Sequence, residues 1–274
     1  MINMAGVYRD EDKNLYYQGD TFKIVLRRYS DPDRLNLARN AAIYLGKKDR
    51  ENIRRPLNII KEGHVPAIFR GEMAEFEFID VSKEVYDHII TYTTANMRAA
   101  GGNRALKSDD WTAPSDRVKN DFAVGSAIQS SMENYKELLE NGETPQVARS
   151  AMPVGAKMNT FVYQFNFVTL GESVFKQRLW EKGAQGNTVK VIQGMFELCQ
   201  TVDCELWDTW YEYRGTPALS WEEVRKKLKK EKLTVGQLLN ELHALALDPE
   251  SGQNADESII DYLVRRSGKL KSMW

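Results

Sequence analysis

The sequence predicts an α+β fold with a helical C-terminal appendage, on three observations. Apolar residues alternate, or nearly so, at residues 21–28, 72–80 and 161–167, the period of strands. Between these runs the apolar positions recur at helical spacing. After Gly215-Thr216-Pro217 the pattern changes to short helices that carry their own capping signals. The expected division is a main domain over residues 1–215 and a helical extension over 216–274.

Each element has a local reason. Residues 21–28 are rich in Phe, Ile, Val and Leu and read as a strand entering the core, which Asp31-Pro32-Asp33 ends. From Arg34 the positions Leu37, Ala38, Ala41, Ala42 and Leu45 follow helical spacing, and Gly46 stands where a left-handed residue closes a helix. A second helix over 55–62 stops at Gly63, and Pro66 makes the chain at Val65 extended. In 72–80, Phe76 and Phe78 share one face. Ser82 is the expected cap of a helix reaching His88 and Ile90. Residues 98–117, with their glycines and Pro114, read as a long loop, and loops of that length are usually binding elements or disordered.

Helical periodicity returns over 116–140, with Val118, Phe122, Ile128, Met132, Tyr135 and Leu139 as the apolar stripe. Thr144 and Pro145 open a further helix as cap and first residue. The aromatic run 161–167 is a strand or a buried turn. Residues 188–213 form one long amphipathic helix with Val191, Met195, Leu198 and Trp207 inward. In the extension, Ser220 with Glu223 and Thr234 with Gln237 make two capping boxes.

Composition excludes several functions. With 38 basic and 39 acidic side chains the net charge is −1, so no global field draws the chain to nucleic acid or an anionic membrane. The basic run 225–232 is a solvated helix face or, on the other reading, a contact to a phosphate backbone. Two cysteines, Cys199 and Cys204, rule out a disulfide framework or a Cys-rich zinc site and point to a reducing cytoplasm. No run approaches the roughly 18 apolar residues that would mark a membrane span, and the N-terminus is polar. Walker, GxGxxG, HExxH and GxSxG signatures are all missing, and three histidines leave little for a metal site.

What remains is an ordered set of residues. Tyr135-Lys136-Glu137-Leu138-Leu139 leads to Gly142, then Val147-Ala148-Arg149, then Met152-Pro153, with Asn166, Arg178 and Ala184-Gln185 beyond. Upstream stand Leu37-Ala38-Arg39-Asn40-Ala41 and a segment ending in Gly63-His64. This succession resembles the flavin-dependent thymidylate synthases over about residues 20–210. That family carries an Arg-His-Arg triplet for flavin, and here Tyr92-Thr93-Thr94 replaces it, while Arg104 alone keeps the end of the same motif. Small residues at Gly101-Gly102-Asn103 followed by Arg104 suit a phosphate nest, or simply a turn.

The resemblance implies a mixed or antiparallel sheet flanked by helices, and a homotetramer whose sites form between subunits. It implies methylation of deoxyuridine monophosphate (dUMP) at C5 to give dTMP, with methylenetetrahydrofolate as carbon donor, FAD as carrier and NADPH as reductant. Carried over residue by residue, it assigns Gly102, Asn103, Arg104, Arg149 and Arg178 to the substrate. It assigns His64, Thr93, Thr94, Asn166 and Gln185 to the cofactor. For Arg178 a surface role is the competing reading. Cys199 and Cys204 are expected to pack in the core, since no histidine lies near to activate them. The altered triplet leaves two alternatives: action on another pyrimidine or on a 5-substituted base in DNA, or a relative that has lost catalysis.

Overall fold

The computed structural model describes residues 5–64, 67–92, 97–100, 110–113, 121–181, 184, 186–216, 226, 234, 236–237 and 240. The chain divides into two compact units, Met1–Arg214 and Gly215–Trp274.

The first unit is built on a six-stranded sheet in which all pairings are antiparallel, in the order β1-β2-β3-β4-β6-β5. The strands are β1 (Gly6–Arg9), β2 (Leu15–Gln18), β3 (Lys23–Tyr29), β4 (Met73–Ile79), β5 (Met97–Ala100) and β6 (Phe161–Asn166). Period-two patterning gives the sheet one buried face: Tyr17, Ile24, Leu26, Ala74, Phe76, Phe78, Phe161, Tyr163 and Phe165 all lie in the core. The loose alternation of β3 has a cause. A bulge between Leu26 and Arg28 leaves Arg27 outside the ladder, so Leu26 pairs with Phe76 and Arg28 with Glu75.

Helices flank the sheet. They are α1 (Leu35–Tyr44), α2 (Arg55–Lys61), α3 (Lys83–Ile89), α4 (Phe122–Glu140), α5 (Pro145–Ala148), α6 (Gly186–Val202) and α7 (Cys204–Trp210). Between β6 and α6 runs a π-helix, Thr169–Trp180. Leu170, Phe175 and Trp180 are all buried, at intervals of five residues, which suits i→i+5 bonding. Helix α6 packs across β1, β2 and β3, and its Gly194 lets the backbone meet the Tyr17 ring: an added Cβ would lie 2.5 Å from Tyr17 Cδ1.

Many expected stops and caps are present. Gly46, Gly63 and Gly142 take φ of 62°, 76° and 87°. Asp31, from the strand-breaking triplet, caps α1 by accepting from the N–H groups of Asn36 (3.1 Å) and Leu37 (2.8 Å). In the second unit Thr234 and Gln237 form the capping box, Gln237 N donating to Thr234 Oγ1 at 3.2 Å and Thr234 N to Gln237 Oε1 at 2.8 Å.

The polar N-terminus, for which no element was expected, contributes the hairpin β1-β2. Four expectations are corrected. Residues 98–100, read as the start of a loop, belong with Met97 to an edge strand on β6. Ser82 stands at the start of α3, but its buried hydroxyl has no hydrogen-bond partner among the described residues. The helix's first N–H groups are satisfied from elsewhere, Lys83 N donating to Ala156 O (2.8 Å) and Glu84 N to Val154 O (3.0 Å). The long helix over 188–213 is broken at Asp203, whose carboxylate accepts from Leu206 N (3.1 Å) and starts α7. Arg34 holds the break in place, with Nε 3.0 Å from Asp203 Oδ2, an ion pair whose angle falls outside hydrogen-bond geometry. Finally, among the described residues of the expected α4 stripe only Met132 and Tyr135 are buried, Phe122 is 91% exposed, and Val118 lies outside the described residues.

Candidate functional site

The candidate site lies where α3, the π-helix, β6 and the start of α6 meet. Tyr92 follows α3 and is fixed through its backbone: its N–H donates to Ile89 O (3.3 Å), and its carbonyl accepts from the Tyr163 hydroxyl on β6. Arg178 comes from the last turn of the π-helix. Its Nε donates to the Tyr92 hydroxyl at 2.9 Å, and its guanidinium lies 5.8 Å from that ring's centroid. The phenol in turn donates to Gln177 Oε1 at 3.2 Å. With the phenol proton directed to Gln177, an oxygen lone pair faces Arg178. Burial pushes the Tyr92 phenol up despite the Arg178 charge, so it stays protonated at neutral pH.

His88 on α3 completes this corner. Its Nδ1 lies 2.7 Å from Oγ1 of Thr188, a fully buried residue near the start of α6. Burial first and the Arg178 charge second push the imidazole below its usual range, against a smaller opposing effect of Asp87. A half-buried cation beside a neutral histidine has no carboxylate partner among the described residues. Such a group favours an anion or a polarised carbonyl, which a guanidinium grips with paired N–H donors.

Arg149 begins the short 3₁₀ turn Arg149–Ala151 just after α5. The expected opening is present: Thr144 Oγ1 accepts from Val147 N at 3.4 Å, and Pro145 is the first helical residue. Beneath it, Met132, Tyr135, Ala148 and Ala156 form a small core of their own. The Arg149 side chain is half-buried, with no hydrogen bond or ion pair among the described residues. No contact among those residues joins Arg149 to Arg178.

His64 is exposed, 2.6 Å through Nε2 from the Tyr44 hydroxyl, with the two rings stacked at 5.8 Å. It follows Gly63, whose carbonyl accepts from Arg214 (3.4 Å), and Arg214 also holds Glu172 early in the π-helix. His64 is thus associated with the opposite end of the π-helix from Arg178. Asn166 is buried at the end of β6, where its Oδ1 accepts from Thr169 N (2.9 Å) and caps the π-helix. Gly102, Asn103, Arg104, Thr93, Thr94 and Gln185 lie outside the described residues.

Flavin requires a flat surface and donors for a polarised ring or a pyrophosphate. The exposed Tyr44–His64 pair offers the first, and Arg178 with Tyr92 offers the second. The two stand at opposite ends of the π-helix, so each meets a separate requirement of the group. Asn166 contributes less than its sequence position suggests, because its carbonyl oxygen serves the chain itself.

The sequence reading did not single out His88, Gln177 or Thr188, and saw Tyr92 only as a substituted position. The one signal available was the spacing of His88 and Tyr92, four residues apart across the C-terminal end of α3. Cys199 is buried in the core and its thiol is pushed up by burial, which makes it a poor nucleophile. Cys204 is exposed, a correction to its expected packing role. Among the described residues no group of three His, Cys, Asp or Glu residues is placed to hold a metal ion, and no helix is long and apolar enough to cross a membrane.

Comparison with protein families adds a match. The sequence model of the family described as thymidylate synthase complementing protein matches residues 28–203, well over half of the 274. No curated protein matches the chain. The matched span runs from β3 to the break at Asp203 and takes in Tyr92, Arg149, Asn166 and Arg178. With that span matched, the chain belongs to the thymidylate synthase complementing protein family, the flavin-dependent thymidylate synthases.

Proposed function

We propose that the protein is a flavin-dependent enzyme acting at C5 of a uracil nucleotide, most simply converting dUMP to dTMP with methylenetetrahydrofolate as carbon donor and NADPH as reductant. The observation that carries this reading is the half-buried Arg178, held at Nε by Tyr92 and facing no carboxylate among the described residues, in a chain of this family. When bound, FAD supplies the hydride and carries the one-carbon unit, so the chain needs no nucleophile of its own. Its own residues bind and orient. Arg178 and Arg149 supply positive charge to the nucleotide, joined by Gly102, Asn103 and Arg104. Tyr92 orients Arg178, and neutral His88 adds no second charge beside it. His64, Thr93, Thr94, Asn166 and Gln185 are the proposed cofactor contacts, with Asn166 acting by capping the π-helix.

We infer a homotetramer as well. Its support is the N-terminal half of α4, where Phe122 (91%) and Val124 (40%) are left exposed on an otherwise patterned helix. The cytoplasm is the compartment in which this chemistry and two unpaired cysteines belong.

One observation favours a second reading. The position of the family's first triplet arginine is Tyr92, and it is engaged with Arg178, so the chain differs from the family pattern at the flavin triplet. That difference suits a different pyrimidine, or a 5-substituted base in DNA. The test is an assay of the full chain with dUMP, methylenetetrahydrofolate, FAD and NADPH, read by chromatography of the nucleotides. Formation of dTMP supports the first reading. Turnover of another pyrimidine without dTMP supports the second, and neither binding nor turnover of any pyrimidine overturns both.

A further inference from the structure

We propose that Tyr92 is a positioning residue for substrate binding: its hydroxyl fixes the Arg178 guanidinium so that the Nη end of the fork, with its charge unspent, meets the uracil nucleotide. This rests on the reading of the site as a uracil-nucleotide site.

A guanidinium has a side edge through Nε and an end edge formed by the two Nη groups, and either can make a paired contact with an acceptor. Here the side edge is taken, since Nε donates to the Tyr92 hydroxyl at 2.9 Å. Among the described residues no acceptor takes the Nη groups. The anchor is neutral. A carboxylate in its place would hold the arginine as firmly but would cancel the charge that an anionic substrate needs. Phenol orientation without neutralisation is therefore the arrangement that leaves the full cation for a ligand.

The anchor is itself held. Tyr163 donates to the Tyr92 carbonyl, Tyr92 N donates to Ile89 O, and the phenol proton is engaged by Gln177. The ring packs half-buried against the main core. Arg178 has two routes to disorder, rotation about its long side chain and retreat to solvent, and the one contact to Tyr92 opposes both. A relay from Gln177 through Tyr92 to Arg178 thus links two π-helix residues through a side chain 86 residues upstream.

The test is a double-substitution cycle read by isothermal titration of dUMP into the full chain: wild type, Tyr92→Phe, Arg178→Ala and the pair together. Tyr92→Phe keeps the ring and its packing and removes only the hydroxyl. The expected result is that Tyr92→Phe raises Kd about tenfold, the scale of one hydrogen bond to a charged group. In the Arg178→Ala background the same change alters Kd by less than about twofold, because its effect passes through the arginine. Gln177→Leu, at an exposed position, is the second variant should Tyr92→Phe not fold. It is expected to weaken binding in the same direction, and only while Arg178 is present. The proposal is overturned if Tyr92→Phe binds dUMP as wild type does, or if it weakens binding equally in both backgrounds. Unaltered affinity in Arg178→Ala also overturns it while leaving the uracil-nucleotide reading standing. A wild-type chain that binds no dUMP removes that reading and the proposal together.

Discussion

Arg214 closes on Glu172 with the whole side edge of its guanidinium, Nε donating to Oε1 at 3.0 Å and Nη2 to Oε2 at 2.9 Å, while Trp210 Nε1 donates to the same Oε1 at 2.9 Å. The pair ties the end of the first unit to the π-helix that carries Arg178 at its far end. Burial pushes the Glu172 carboxyl up, but the bonds from Arg214 and Trp210 outweigh it and hold it below the usual range. A carboxylate whose folded pKa is depressed contributes stability that is present above the unfolded value of about 4.3 and is lost as pH falls through the folded value. Glu172→Gln is expected to cost about 1–3 kcal/mol at pH 7. It should also reduce the loss of stability on acidification below about pH 4.3. Urea denaturation of both proteins across that range measures the two effects.

The π-helix approaches α7 so closely that only glycine fits at position 171. A Cβ there would stand 2.2 Å from Trp210 Cε2, and Trp210 is fully buried and cannot swing away. Gly171→Ala is therefore expected to destabilise by about 1–3 kcal/mol, the usual scale of overpacking. Pairing it with Trp210→Phe, which removes the clashing atoms, should cost less than the two single changes summed. Thermal melts of the three variants decide this.

His88 reports on the charge of the site. Its imidazole is expected to titrate below about 6.5 by NMR, and Arg178→Ala should move it up toward that value by removing the nearby cation. Because the folded state favours the neutral ring, the unfolded chain takes up its proton first as pH falls. The His88 contribution to stability is then complete above about pH 6.5 and is lost below it. Replacing His88 by Gln should flatten stability between neutral and mildly acid pH, as followed by chemical denaturation.

Arg149 is placed on a rigid support, a capped turn over the small core of Met132, Tyr135, Ala148 and Ala156. If it binds nucleotide, Arg149→Ala weakens dUMP binding by at least about 1.5 kcal/mol, one charged hydrogen bond. An unchanged titration removes Arg149 from the site.

Much of this architecture was readable where one local rule decided the outcome. Phe76 and Phe78 alternate because one face of β4 is buried, and Gly46, Gly63 and Gly142 adopt the left-handed conformation that helix ends require. Reading failed where a distant residue decided it. Apolar periodicity runs unbroken across Asp203, and only its capping bond and the buried Arg34, itself at φ 61°, reveal two helices. Ser82 looks like a cap, yet carbonyls from the 153–157 loop take that role. Arg149 and Arg178 were legible as candidates through the order of motifs around them. The contact between Arg178 and Tyr92 spans 86 residues and follows from no periodicity.

On the proposed function, Arg178 and Tyr92 border a site shared by a uracil nucleotide and a flavin. The most direct test of this is the visible spectrum of the full chain after incubation with FAD and gel filtration, recorded before and after addition of dUMP. The expected result is a retained flavin band that dUMP perturbs, with the perturbation lost in Arg178→Ala. Protein that keeps no flavin, or whose flavin band is indifferent to dUMP, contradicts the proposed function.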